Sequence, residues 1–183
     1  LRVQGTQIRP ARQFCQVGCE LIGAGGAQDD AEIMLLSILS LRAIGIQDVS
    51  IDLTVPSLAG AVMGVDERGD ISSILERRDR DALSKVSHPA VSKLLALLDA
   101  SGPADVAVQK IKEHKLPDAT AEIDGLIAVY RSLLDGIAVY GLKDINITID
   151  WVEHRGLDYE TGIGFTLFSN AVRGELGGGG RYR

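Results

Sequence analysis

The sequence predicts an α+β domain built on a mostly antiparallel sheet with amphipathic helices behind it. Three observations predict this. Several short segments alternate apolar and polar residues, with the polar ones kept to one face. Longer segments carry apolar residues at helical spacing. The two kinds interleave so that helices can back one side of a sheet and leave its polar side open. With 183 residues, 45% of them hydrophobic, the chain is long enough for one sizeable core or one core and a small subdomain.

The elements follow in order. From Gln13 to Ile22, "QFCQVGCELI" alternates, with Cys15, Val17, Cys19 and Leu21 on one face and Phe14, Gln16, Gly18, Glu20 and Ile22 on the other. This predicts a strand. Gly18 between Gln16 and Glu20 leaves a shallow floor on which a small polar ligand can lie, although Gln and Glu are also ordinary on a solvent-facing strand. Asp29 and Asp30 suit the start of a helix over "AEIMLLSILSLRAIG", and Gly45 suits its end. "DVSIDLTV" predicts a strand with Val49, Ile51, Leu53 and Val55 inward, closed by Pro56.

Residues 57–116 change character. Helical spacing in "ISSILERR" and "AVSKLLALLDA", with turn signals at "SHP" and "SGP", predicts a small helical insertion between two parts of a core, 1–56 and 117–183. From Asp118 to Gly141 a long amphipathic helix is expected, its stripe running through Leu126, Val129, Leu133, Ile137 and Tyr140. "INITIDWV" then predicts a strand with Ile145, Ile147, Ile149 and Trp151 on one face and Asn146, Thr148 and Asp150 on the other. "EHRGLDYETGIGFTLF" continues into a further strand, and an opening cluster of charges at its mouth marks the polar face as the place for a ligand. For Arg155 and Glu160 to face one ligand a bulge is needed, at Gly156 or Gly162. The four glycines before Arg181 and Tyr182 permit positive φ and close backbone approach to a ligand, or form a flexible linker.

Composition bounds the function. Nineteen basic residues against 25 acidic ones give a net charge of −6, which argues against a broad basic face for nucleic acid. No apolar run approaches the roughly 18 residues that span a bilayer, and no secretion-signal pattern opens the chain, so a cytoplasmic location is expected. Cys15 and Cys19, the only cysteines, read as small buried hydrophobes. His88, His114 and His154 are scattered without the spacing a Cys/His metal site needs, so neither metal nor cofactor is expected. Opening on strand-like "LRVQGTQI" and stopping at "GGGGRYR", the chain reads as an excerpt of a longer protein.

In this order, "RQFCQVGCELIG", "RGLDYETG" and "GGGGRY" resemble the catalytic core of histidyl-tRNA synthetase, a class II aminoacyl-tRNA synthetase fold. The resemblance implies that Gln16 and Glu20 hold the amino acid and that Arg9 stands where the family places its ATP-binding arginine. It implies also that Arg155 is the adenylation arginine and that Gly178, Gly179, Gly180, Arg181 and Tyr182 line the pocket.

The departures from that pattern point elsewhere. Only Pro10 and Ala11 separate Arg9 from Arg12, where the synthetase carries a long ATP- and tRNA-gripping loop. Glu160 replaces the second tyrosine of the family's "RGLDYYTG", and Arg183 replaces the aspartate of its "GGGGRYD". Together with "VEHRG", "GFTLF" and "VRGELG", they are similar to the synthetase-like regulatory subunits of ATP phosphoribosyltransferase. That resemblance implies a catalytically inert, dimeric fold that assembles with the short catalytic subunit and transmits inhibition by histidine, with no membrane or nucleic-acid partner. In it Gln16, Glu20, Arg155, Tyr159 and Glu160 form the histidine pocket, and Arg9 and Arg12 are remnants of a nucleotide site. Keeping the amino-acid floor while losing the phosphate grip suits a sensor better than an activating enzyme. An active synthetase is the alternative reading, and a stand-alone amino-acid- or tRNA-binding module a third.

Overall fold

The computed structural model describes residues 15–23, 25–64, 69–153 and 160–182. Helix α1, Ala27–Ala43, begins where Asp29 turns back to accept the backbone N–H groups of Gly25 and Gly26 at 2.9 and 2.7 Å. The bonds from Gly26 and Gly25 hold that carboxyl below its usual range. The helix ends at Gly45, whose φ of +98 favours glycine and whose N–H meets the Arg42 carbonyl at 3.0 Å.

Strand β1, Val49–Thr54, lies at the centre of a five-stranded sheet. The other strands are β2, Gly102–Pro103, β3, Asn146–Asp150, β4, Glu160–Ser169, and β5, Val172–Tyr182, in the spatial order β2-β3-β1-β4-β5. β1 runs parallel to β3, and the pairs β1–β4, β2–β3 and β4–β5 are antiparallel. The sheet is therefore mixed but mostly antiparallel. Asp48, just before β1, clamps the far hairpin by accepting the Ser169 hydroxyl at 2.6 Å and the Asn170 N–H at 2.8 Å, and the Ser169 bond leads in drawing its carboxyl below the usual range.

Between β1 and β3 the chain forms helices α2, Leu58–Met63, α3, Gly69–Glu76, α4, Arg80–Ser84, α5, Val91–Ala100, and α6, Ala104–Glu113. They are not detached from the sheet. β2 adds an edge strand to β3, α6 packs on β3, and Leu83, Leu94, Leu97 and Ile111 belong to the same core as the strands. After a 3-10 turn at Pro117–Ala119, helix α7, Thr120–Val139, packs along α1. Gly136 makes this close approach possible: a Cβ there would lie 2.9 Å from Leu35 Cδ2.

One face of the sheet is the floor of the core. Val49, Ile51 and Leu53 are wholly buried, flanked in register by Ile149 and by Phe165 and Leu167. In α7, Leu126, Val129 and Leu133 are buried as the stripe predicts. Tyr140 departs from it: the helix stops at Val139, the chain turns through Gly141 at φ +59, and Tyr140 is 59% exposed.

Three further expectations are corrected. The strand expected over 13–22 is absent from its described part: residues 15–22 have no regular structure and are exposed, Val17 at 99%. Cys15 and Cys19 are likewise exposed thiols rather than buried hydrophobes. Alternation makes a strand only where a ladder partner satisfies the backbone, and among the described residues none pairs with this segment. The glycine run is the converse case. It is neither a linker nor a positive-φ loop but the ordered interior of β5, with Gly177, Gly178, Gly179 and Gly180 paired to Leu167, Thr166, Phe165 and Gly164.

Candidate functional site

The face of the sheet opposite the core floor is polar by construction. Alternation that buries Ile51 and Leu53 puts Asp52 and Thr54 on the other side of β1, and in β3 it puts Thr148 and Asp150 there. The parallel register then sets Asp52 beside Thr148 and Thr54 beside Asp150. Across the antiparallel pairing, Asp52 faces Thr166, and Thr166 faces Gly178. Gly164 pairs with Gly180, so the β4–β5 side of this face carries little bulk.

Charge gathers at the β1–β3 end. Carboxylate oxygens of Asp52, Asp150 and Glu153 lie within 4.8 Å of one another. The Thr148 hydroxyl donates to Asp52, and the Arg78 guanidinium donates to Asp150 as an ion pair. Arg78 comes from the α3–α4 junction, where it takes a positive φ of 52° and its N–H closes on the Leu75 carbonyl. Asp150 is 6% exposed, and its other oxygen accepts the backbone N–H groups of Val152 and Glu153 at 3.0 and 3.1 Å. Asp52 is differently placed. Burial pushes its carboxyl above the usual range, the Thr148 bond opposes this, and the neighbouring Glu153 charge adds to it. Thr54 is fully buried, and its hydroxyl has no hydrogen-bond partner among the described residues.

The other end of β5 is tied to α1. Arg181 donates to the Asp30 carboxylate at 2.7 Å and to the Gly26 carbonyl at 3.1 Å. Burial still leaves Asp30 above its usual range, with the Arg181 bond working against the shift. The Arg181 stem occupies the space a Cβ of Gly162 would need, 2.7 Å from its position, and Gly179 leaves room for the Phe165 ring, 3.0 Å from its own. These two glycines are packing requirements of the strand pair.

The structure assembles the expected site residues only in part. Glu160 of β4 pairs in register with Tyr182 of β5, which brings those two positions together, and a register shift between Glu160 and Gly164 includes Gly162, one of the two expected bulge positions. Gly178, Gly179, Gly180 and Arg181 follow on the same strand. Gln16 and Glu20 are exposed in irregular backbone and form no floor there. Arg9, Arg12, Arg155 and Tyr159 lie outside the described residues. Sequence reasoning missed the Asp52–Asp150–Glu153 cluster. The signal was present in two outward-facing aspartates, one on each of two alternating strands, but only the pairing of β1 with β3 makes them neighbours.

Residues 1–183 match the model of the histidyl-tRNA synthetase family along their whole length. The chain belongs to the histidyl-tRNA synthetase family. A relative named ATP phosphoribosyltransferase regulatory subunit, from Rhodospirillum centenum, is 42% identical over 188 residues, covering 100% of this chain and 48% of its own length. The chain thus spans about half the length of the curated relatives it matches. Among solved structures, an ATP phosphoribosyltransferase regulatory subunit/histidyl-tRNA synthetase from Bacillus halodurans superposes with a TM-score of 0.72 at 21% identity, covering 88% of this chain and 44% of that one. The ATP phosphoribosyl transferase (HisG:HisZ) complex from Thermotoga maritima gives 0.69 at 14% identity, covering 86% and 57%. At these identities the two structures speak to the fold. They agree with a mixed sheet backed by helices, the class II synthetase-like arrangement of this family. Among the described residues no helix is long and apolar enough to cross a membrane.

Proposed function

We propose that this member of the histidyl-tRNA synthetase family is part of a regulatory subunit of ATP phosphoribosyltransferase. In this reading the protein does not catalyse adenylation; it assembles with the short catalytic subunit, enables its activity and transmits inhibition by histidine. The observation that carries the proposal is the 42% identity, along the entire chain, to a relative with that name. The same family also contains synthetases, so fold alone does not separate the two activities. The departures at Glu160 and Arg183, and the two residues between Arg9 and Arg12, favour the regulatory side.

The division of the chain belongs to the same proposal: two parts of a synthetase-like core, 1–56 and 117–183, around a helical insertion, 57–116. The proposed histidine pocket takes Gln16, Glu20, Arg155, Tyr159 and Glu160, with Gly178, Gly179, Gly180, Arg181 and Tyr182 as its wall and Arg9 and Arg12 as remnants of a nucleotide site. The pairing of Glu160 with Tyr182 and the glycine floor beside them support that wall. Glu160 would accept from an imidazole N–H, a stronger interaction than a tyrosine hydroxyl offers. A dimer in the cytoplasm completes the reading.

The experiment is histidine-dependent pyrophosphate exchange with ATP on the full-length protein. No exchange above background is expected, because the phosphate-gripping loop is short. Robust exchange would make the protein an active synthetase instead.

A further inference from the structure

We propose that Asp52 and Glu153, supported by Asp150 and Thr54, bind a hard divalent cation of the Mg²⁺ class on the polar face of the sheet. One oxygen from each carboxylate lies within 4.8 Å of the others. Ligand oxygens sit about 2.0–2.1 Å from Mg²⁺ and about 2.3–2.6 Å from Ca²⁺, so two of them on one ion are separated by at most about 4 Å or about 5 Å respectively. All three acids lie within the wider limit, and Asp52 and Glu153, close enough to hydrogen-bond to one another, suit the narrower one.

The three acids have different parts. Asp150 is already engaged: one oxygen takes two backbone N–H groups and the other takes Arg78. It is fixed in place and retains little capacity to ligate directly. Asp52 accepts the Thr148 hydroxyl and shares a hydrogen bond with Glu153, while the Arg78 charge, paired with Asp150, reaches it only as the weakest of these influences. It lies next to Glu153 in a partly buried setting where two carboxylates disfavour one another. A cation between Asp52 and Glu153 removes that repulsion. Two carboxylates with waters completing the shell is how proteins usually hold Mg²⁺, and an all-oxygen set disfavours zinc.

An independent feature of the same place also points to a ligand. Thr54 is wholly buried, yet its hydroxyl has no partner among the described residues. It stands two residues from Asp52 on the same face of β1 and opposite Asp150 in the parallel register, so it faces the ground between them. Buried hydroxyls without partners are uncommon because desolvation is then uncompensated. A water in the shell of the ion would supply the missing bond.

The test uses Mn²⁺ as a paramagnetic stand-in for Mg²⁺, titrated into the full-length protein while the free-ion resonance signal is followed. One bound Mn²⁺ per chain, displaced by Mg²⁺, is expected. Asp52→Asn and Glu153→Gln are each expected to weaken it about tenfold or more, and Thr54→Val to weaken it by a smaller factor. In chelator-treated protein the Asp52→Asn variant is expected to melt no lower than wild type, since it removes a carboxyl whose ionised form burial disfavours. Loss of binding then reports the ligand and not the fold. The proposal is overturned if wild-type protein leaves millimolar Mn²⁺ free, or if both carboxamide variants bind it as tightly as wild type.

Discussion

The two faces of one sheet solve opposite problems. On the inner face Val49, Ile51, Leu53, Ile149, Phe165 and Leu167 are at most 4% exposed and have no polar side-chain atoms to satisfy. On the outer face, one residue along each strand, Asp52 carries a carboxyl pushed up by burial, Asp150 depends on Arg78, and Thr54 hides an unpartnered hydroxyl. The inner face is organised for burial, and a substitution there that opens a cavity removes stability. The outer face keeps groups that an apolar replacement would dispense with, which is the usual mark of a surface retained for binding.

Substitutions on each face sharpen that contrast. The largest effect is expected from Leu53→Ala, which opens a cavity in the fully buried core and should cost about 3 kcal/mol in chemical denaturation. Next comes Gly179→Ala, whose Cβ would lie 3.0 and 3.1 Å from Phe165 ring carbons; a loss of roughly 1–2 kcal/mol is expected. Gly177→Ala, with nothing within 4 Å of its Cβ, should stay within about 0.5 kcal/mol of wild type, although it lies two residues away on the same strand. Equal losses at the two glycines would contradict the packing account of β5.

The outer face is expected to respond in the opposite direction. Asp52→Asn should raise stability at neutral pH in metal-free buffer, because it removes a carboxyl whose ionised form burial disfavours. The sign follows from linkage. With its folded pKa above the unfolded value of 3.8, Asp52 binds its proton more tightly in the folded state. Its stabilising contribution is fully present below that value and is lost as pH rises through the folded pKa. Wild-type protein should therefore lose more stability than the Asn variant on going from acid toward neutral pH, and parallel pH profiles would exclude the effect. The smallest change is expected from Arg80→Ala. Arg80 and Asp99 are paired at 2.9 and 3.0 Å but about half exposed, where solvent screens the pair, and no measurable shift should be seen by thermal melting.

The inner face was almost fully legible in the sequence, because burial writes a period into the chain: every second residue of "VSIDLTV" and a stripe along α7. The outer face was legible only as polarity. Asp52 and Asp150 are 98 positions apart by number, and their meeting depends on the parallel pairing of β1 with β3 across all of α2 to α7. Arg78 reaches the site from a helical junction whose local pattern, "ERRDRD", reads as a solvated charge run. For "CQVGCELI" and "GGGGRYR" local pattern misleads in both directions, since the first alternates without a described ladder partner and the second has none of the usual strand formers in its glycines yet finds one in β4.

The regulatory reading rests most directly on reconstitution. The full-length protein would be mixed with the short ATP phosphoribosyltransferase catalytic subunit from the same genome, and phosphoribosyl transfer followed with and without histidine. The account predicts high activity only in the mixture and inhibition by histidine that Glu160→Ala weakens. A catalytic subunit equally active and equally inhibited on its own would contradict it.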